Sequence, residues 1–373
     1  MSKRANGEGS IYQRKDGRWS GSLSLGRGKR KHFLGSTRAG VNKRLIAAMK
    51  ARDDGLPVVD ERQTVGQFLT GWIADKRASA RPGTVRGYES KLRLHILPAV
   101  GTIALAKLTP QRLQSFFNEK LASGLAPQTV HHLRAILRAA LADAVKWGLV
   151  GRNAADLVDP PRIPHEEFRP LTPAEAQALL DAVTGDRLEA LYSVALALGL
   201  RQGEALGLRW QDVDLEAGTL RVSHSLQRFG KAFQLVEPKT ARSRRTLALP
   251  AIAAAALRAH RTKQLEERLA AGPLWEEHGL VFTRRNGMPL HGSNVTREFQ
   301  RMLERANLRR LRFHDMRHAC ASLLIAQGVH PRVVMETLGH SQIGITMNLY
   351  GHVLPEAQRQ AAAQMDAILA RRS

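Results

Sequence analysis

Five short stretches in the C-terminal half hold the side chains whose types and spacing could do chemistry. Gly199-Leu-Arg201-Gln-Gly-Glu204 sets an arginine and a glutamate three apart, neighbours on a helix and able to pair. Lys239 sits in a basic run from Glu237 to Arg245, expected at a hairpin tip, where Arg242, Arg244 and Arg245 are equally available to phosphate. Phe313-His314-Asp-Met-Arg317-His318 puts His314 and Arg317 one turn apart. Leu338-Gly-His340 ends a helix, and Met347-Asn-Leu-Tyr350 follows ten residues later. A guanidinium stays charged and donates in pairs, so arginines suit an anion that gathers charge under attack. A tyrosine becomes a nucleophile when cationic surroundings favour its phenolate over the ordinary pKa of about 10. Each piece alone has a plainer reading: a helix salt bridge for Arg201 and Glu204, a packed or surface side chain for Tyr350. The i, i+4 spacing of His314 and His318 could suggest a metal, but no carboxylate ligand set or general-base glutamate follows, so none is expected. Cys320 falls on the apolar side of its helix and reads as packing.

As an ordered set, Arg-x-x-Glu, Lys in a basic hairpin, His-x-x-Arg-His, Leu-Gly-His and Tyr-x-His resembles the tyrosine recombinase (phage integrase) family. The flanking text agrees: Ala321-Ser-Leu-Leu-Ile-Ala-Gln-Gly-Val, Thr337-Leu-Gly-His-Ser and Tyr350-Gly-His-Val. The resemblance implies a nucleophile at Tyr350 that forms a 3′-phosphotyrosine link and frees a 5′-hydroxyl. It implies that Arg201 and Arg317 clamp the phosphate with His314 and His340, and that Lys239 is the general acid. Glu204 would hold Arg201. No metal, nucleotide or organic cofactor is required by such chemistry, because the phosphotyrosine stores the phosphodiester bond. Recombination joins two duplexes, so a tetramer on DNA is implied.

These residues need elements to position them. Thr172-Pro-Ala-Glu175 is a capping box that opens a domain of helices interrupted by a strand region, Thr219 to Pro250, and by one short strand and turn at Leu280 to Leu290. Upstream, residues 62–157 read as a helical bundle. Val65, Phe68, Leu69 and Trp72 share one face, and helical spacing recurs over Thr84 to Leu94, Thr109 to Leu121 and Pro127 to Trp147. Loops such as Leu97-Pro-Ala-Val-Gly101 are expected between them. Residues 1–58 read as three short strands and a helix over about Val41 to Arg52, with Gly40 and Asn42 arguing for a late helix start. Lys29, Arg30 and Lys31 are expected on a loop that contacts phosphate, and Trp19 and Phe33 in a small core. Four prolines between Asp156 and Pro170 favour an extended tether.

The expected organisation is therefore multidomain, mainly α with small β-sheets. A basic β-rich arm-type module spans 1–58, a core-binding bundle 62–157, a Pro-rich linker 158–170, and an α+β catalytic domain 171–373. A last helical stripe of Leu354, Ala357, Ala361, Met365, Ile368 and Leu369 could pack on its own domain or on a neighbouring protomer.

The chain carries 57 Lys and Arg against 33 Asp and Glu, a formal net charge of +24. The excess is spread as +9, +8 and +7 over residues 1–60, 61–165 and 166–373, so every section can meet phosphate. The excess favours nucleic acid as a partner; the resemblance implies double-stranded DNA, at core sites and arm sites, with DNA-bending accessory proteins as further partners. No apolar run approaches a membrane span and Met1 to Ser10 lacks a secretory signal, so a cytoplasmic, non-membrane protein is expected. One cysteine excludes an internal disulfide. The expected function is site-specific cutting and rejoining of DNA for a mobile element. The rivals are a DNA-binding regulator on the same fold and a type IB topoisomerase-like relaxing enzyme.

Overall fold

The structure, a computed structural model, describes residues 9–24, 30–53, 63–164, 169–230, 232–237 and 244–339, with Ala362, Met365 and Leu369. The chain divides into two compact units, Met1–His165 and Glu166–Ser373.

The first unit opens with an antiparallel sheet of β1 (Ser10–Gln13), β2 (Trp19–Ser24) and β3 (Arg30–Gly35), in the order β1-β2-β3. Helix α1 (Arg38–Asp53) packs on it through Leu45 and Ala48, which join Leu23, Ile11, Phe33 and Met49 in a small cluster. A Cβ on Gly21 would lie 2.8 Å from Val41 Cγ1, so glycine sets how closely the helix approaches. The helix starts three residues earlier than Gly40 and Asn42 suggest. Thr37 explains this: its Oγ1 accepts from the Gly40 amide at 3.2 Å and its carbonyl from Val41 at 3.2 Å, and this cap outweighs poor local propensity. Arg30 and Lys31 are also corrected. They lie within β3, paired with Ser24 and Leu23, because the strand begins earlier than its apolar alternation. Lys29 lies outside the described residues.

The rest of this unit is helical and buries a separate cluster. Helix α2 (Val65–Ser79) is fixed by a capping box in which Thr64 and Gln67 exchange bonds of 3.0 and 3.2 Å. It buries Val65, Phe68, Leu69 and Trp72. Helix α3 (Pro82–Lys91) runs through a π-turn, Leu92–Ile96, into α4 (Leu97–Val100). The loop expected at Leu97 to Gly101 is thus helical up to Val100. Pro98 has no amide hydrogen to give to the preceding turn, and the wider π-turn before it, in which the Leu97 amide reaches back to Leu92, carries the helix into it. Helices α5 (Pro110–Ala122) and α6 (Pro127–Lys146) complete the bundle, with Thr109 capping α5. In the Pro-rich stretch Val158 is buried at one end with Arg134 Nε on its carbonyl at 3.0 Å, and at the other Arg309 Nη2 holds the carbonyls of Arg169 and Pro170.

In the second unit α7 (Pro173–Val183) starts at the capping box of Thr172 and Glu175, with bonds of 2.8 and 3.1 Å. Helix α8 (Glu189–Leu198) is buried nearly all round and is the core of the unit; α9 (Gln202–Leu206) follows it. Strands β4 (Val213–Asp214) and β5 (Thr219–Val222) come next, then β6 (Ser225–Phe229), β7 (Ala232–Val236) and β8 (Arg245–Ala248). They form one antiparallel sheet, β4-β5-β8, and a separate β6-β7 hairpin. Helices α10 (Ala251–Ala271), α11 (Gly292–Arg305), α12 (Phe313–Ala326) and α13 (Pro331–Leu338) enclose α8 and the site. The strand expected at Leu280 to Leu290 is reduced to single bridges, Arg209 to Leu280 and Thr283 to Pro289. The buried Gln264 amide donates to the Leu280 and Val281 carbonyls, and His260 Nε2 lies 2.8 Å from Val281 O, replacing ladder bonds with side chains. In the C-terminal stripe Met365 and Leu369 are described, and both are exposed.

Candidate active site

Helix α8 ends at Gly199, whose φ of 60° is left-handed and whose added Cβ would stand 2.3 Å from Leu338 Cδ2. Glycine is needed there on both counts. The turn that follows delivers Arg201 to the N-cap of α9, facing Glu204. The Arg201 amide donates to Glu204 Oε2 at 3.1 Å and its Nη1 to Oε1 at 2.6 Å. From β8, Arg245 Nη2 donates to the same Oε2 at 3.0 Å. Arg317 projects from α12 and gives Nη1 to the Gly199 carbonyl at 2.8 Å. The start of α12 is held by Asp315, which accepts from the Arg312 amide at 2.7 Å.

The C-terminus of α13 gathers these arginines. Three successive carbonyls each accept from a different one: Thr337 from Arg245 Nε at 2.6 Å, Leu338 from Arg317 Nη2 at 2.6 Å, and Gly339 from Arg201 Nη2 at 3.3 Å. A helix C-terminus leaves carbonyls without intrahelical partners and carries the negative end of the dipole, so it is a natural seat for guanidinium groups. Gly339, at φ 66°, lies against Arg245, where an added Cβ would stand 3.0 Å from Nη1.

The charge is unbalanced. Three guanidinium groups gather at one carboxylate that is bonded by two of them, with Glu204, Arg317 and the Arg245 side chain buried and the Arg201 side chain 39% exposed. Burial alone would raise the Glu204 pKa, but Arg245 and Arg201 outweigh it and hold the carboxyl below its usual range. Arg317 is brought down to about 9 by burial and by Arg201, with Arg245 adding to the effect. Partial desolvation, Arg317 and Arg201 lower the pKa of the His314 ring, which stands on the exposed side of α12. The His318 ring packs edge-on to it at 4.7 Å and is lowered to about 4 by burial and by His314. The result is a fixed cationic locus with Arg201 and His314 at its surface, suited to a phosphate in attack geometry.

Arg201, Glu204 and Arg317 are therefore assembled, with His314 one turn before Arg317. Lys239, Arg242, His340 and Tyr350 lie outside the described residues. Arg244 is half exposed and pairs with Glu237. Arg245 requires a correction. It was expected among the DNA contacts, but its side chain is 7% exposed and held by Glu204 and Thr337. The signal lay in alternation: Arg245 shares the inward face of β8 with buried Leu247, while Thr246 and Ala248 point out. The three acceptor carbonyls are backbone groups and left no trace in residue types. Cys320 is buried packing, with Sγ 3.5 Å from the Ala197 carbonyl. Among the described residues no cluster of three His, Cys, Asp or Glu could hold a metal, and no helix is long and apolar enough to cross a membrane.

Comparison with known proteins bears on the same regions. A model of the phage integrase family matches residues 169–357, and one of the phage integrase N-terminal SAM-like domain matches residues 64–121. An integrase of Streptomyces ambofaciens is 31% identical over 388 residues, covering 99% of this chain and 98% of that protein. A tyrosine recombinase XerC-like protein of Caldanaerobacter subterraneus is 30% identical over 357 residues, covering 90% and 91%. The Tn1549 transposon integrase in complex with transposon right end DNA shares the fold with a TM-score of 0.70 at 24% identity, covering 83% of this chain and 100% of that one.

Proposed function

The chain belongs to the phage integrase family and is a tyrosine-type site-specific DNA recombinase, and from that premise we propose how its residues divide the reaction. The Tyr350 hydroxyl attacks the scissile phosphorus. A bond forms from its oxygen to phosphorus and the bond to the 5′-oxygen breaks, leaving a 3′-phosphotyrosine and a free 5′-hydroxyl. Arg201, His314 and His340 donate to the non-bridging oxygens, and Arg317 supplies positive charge to the same locus from behind. Lys239 gives a proton to the leaving oxygen. Attack by a 5′-hydroxyl of another strand reverses these bonds and completes strand exchange without ATP.

The observation that carries this reading is the row of carbonyls at 337 to 339, each bound to one of three arginines that share or adjoin Glu204. His340 is the next residue in sequence. We extend the proposal to partners. Residues 62–157 and 171–373 grip double-stranded DNA at core sites, residues 1–58 take arm sites, and four protomers act together on two duplexes to integrate or excise a mobile element. DNA-bending proteins assist the arm-site geometry.

Covalent trapping in cells tests this. Protein-linked DNA from wild type and Tyr350→Phe is recovered under denaturing conditions and its ends sequenced. A few sharp sites with wild type, and none with the variant, are expected. Adducts spread over the genome favour a relaxing enzyme, and tight binding with no adduct favours a regulator.

A further inference from the structure

We infer that Arg245 is a positioning residue of the reaction, one that sets the geometry of the phosphate clamp through Glu204 and the end of α13; the inference rests on the recombinase reading above. Its guanidinium joins three elements far apart in sequence: β8, which carries it, α9 through Glu204, and the C-terminus of α13 through Thr337.

Both bonds act on Arg201. Glu204 Oε1 takes Arg201 Nη1, while Oε2 is shared between the Arg201 amide and Arg245 Nη2. With Oε2 held from both sides the carboxylate plane cannot rotate, and the direction of the Arg201 fork is fixed with it. The second bond holds the α13 terminus, whose next two carbonyls receive Arg317 and Arg201. Contact enforces the same arrangement: a Cβ at Gly339 would stand 3.0 Å from Arg245 Nη1 and 3.3 Å from its Cδ, so the chain lies directly against the side chain there. A lysine could neutralise Glu204, but its point charge lacks the planar fork that spans Glu204 Oε2 and the Thr337 carbonyl together.

The test compares cleavage of core-site DNA with cleavage of the same site bearing a neutral methylphosphonate at the scissile position. Both use the sites recovered by trapping. Arg245→Lys is expected to cut the phosphodiester about 10²-fold more slowly, the cost of a small misplacement, with DNA affinity little changed. On the neutral analogue, which asks less of the arginine clamp, the deficit shrinks to within about threefold. Equal losses on both substrates, or no loss on either, overturn the inference. If Arg245→Lys does not fold, the double variant Arg245→Met with Glu204→Gln removes the buried charges together. Wild-type cleavage by that variant likewise overturns it. Should the wild type cut no DNA, the recombinase reading fails, and exchange of the hydrogen-bonded arginine Nη–H protons by NMR still decides the positioning claim. Arg201 protection is expected to fall roughly tenfold in Arg245→Lys while that of Arg187, held elsewhere by Glu267, stays put. Unchanged Arg201 protection rejects it.

Discussion

In the Glu166–Ser373 unit, Arg201 and Arg245 turn onto one carboxylate, and these two with Arg317 onto three successive carbonyls, with the side chains of Arg245 and Arg317 buried. In the N-terminal sheet the basic residues stand differently. Arg14 and Arg18 flank an exposed turn, Arg14 pairs loosely with Asp16 at 3.8 Å, and Arg30 is exposed on β3. The chemistry of the side chain is the same in both places and the consequence is not. Burying guanidinium groups around a single carboxylate costs folding free energy but fixes their direction before any substrate arrives. Leaving them in water costs little and gives a diffuse attraction for polyanions that salt weakens. On the proposed reading, one region serves geometry and the other capture.

Four measurements press on that contrast, from the largest effect downward. Glu204→Ala leaves the Arg201 and Arg245 guanidinium groups without their carboxylate and should lower unfolding free energy by about 3–5 kcal/mol, read by denaturant melts. Arg14→Ala should change it by less than about 0.5 kcal/mol in the same melts. Similar values for the two would erase the distinction. Arg317→Ala should slow cleavage about 10²- to 10³-fold at saturating DNA, with binding by gel shift much less affected. A loss confined to binding would move Arg317 from geometry to capture.

The third concerns pH. His318 is neutral in the fold, with a pKa of about 4 against an ordinary 6.5, and the His314 pKa is lowered in the same direction. Protonation therefore favours the unfolded chain. The stability these rings contribute is complete above about pH 6.5 and is lost as pH falls from there through 4. In thermal melts across that range, His318→Gln should flatten the decline, and an identical slope in variant and wild type would remove the histidines from the account. The smallest effect is Arg30→Ala, which should leave Tm unchanged and reduce the salt slope of DNA binding by about one counterion. An unchanged slope would take Arg30 out of DNA capture.

What sequence alone could reach follows the same divide between local and long-range causes. The capping box at Thr172, the helical spacing over α5 and α6, and the pairing of Arg201 with Glu204 all depend on residues near one another in sequence, and each was legible. Arg245 was hidden because three other cations crowd its segment, and only its alternation with Leu247 betrayed an inward side chain. The early start of α1 turned on one threonine cap that outweighed a glycine and an asparagine. The continuation of the helix into Pro98 turned on a π-turn, which spacing does not announce. The acceptors at 337 to 339 are carbonyls, placed by a helix end meeting α8, α9 and β8, and no residue type encodes them.

The most direct test of the central claim is the chemical identity of the protein–DNA link. Trapped adduct is digested with nuclease and protease, and the nucleotide-bearing peptide is sequenced by mass spectrometry. The account predicts a single modified residue, Tyr350, joined through oxygen to a 3′-phosphate. A link to any other residue, or through a 5′-phosphate, would contradict it.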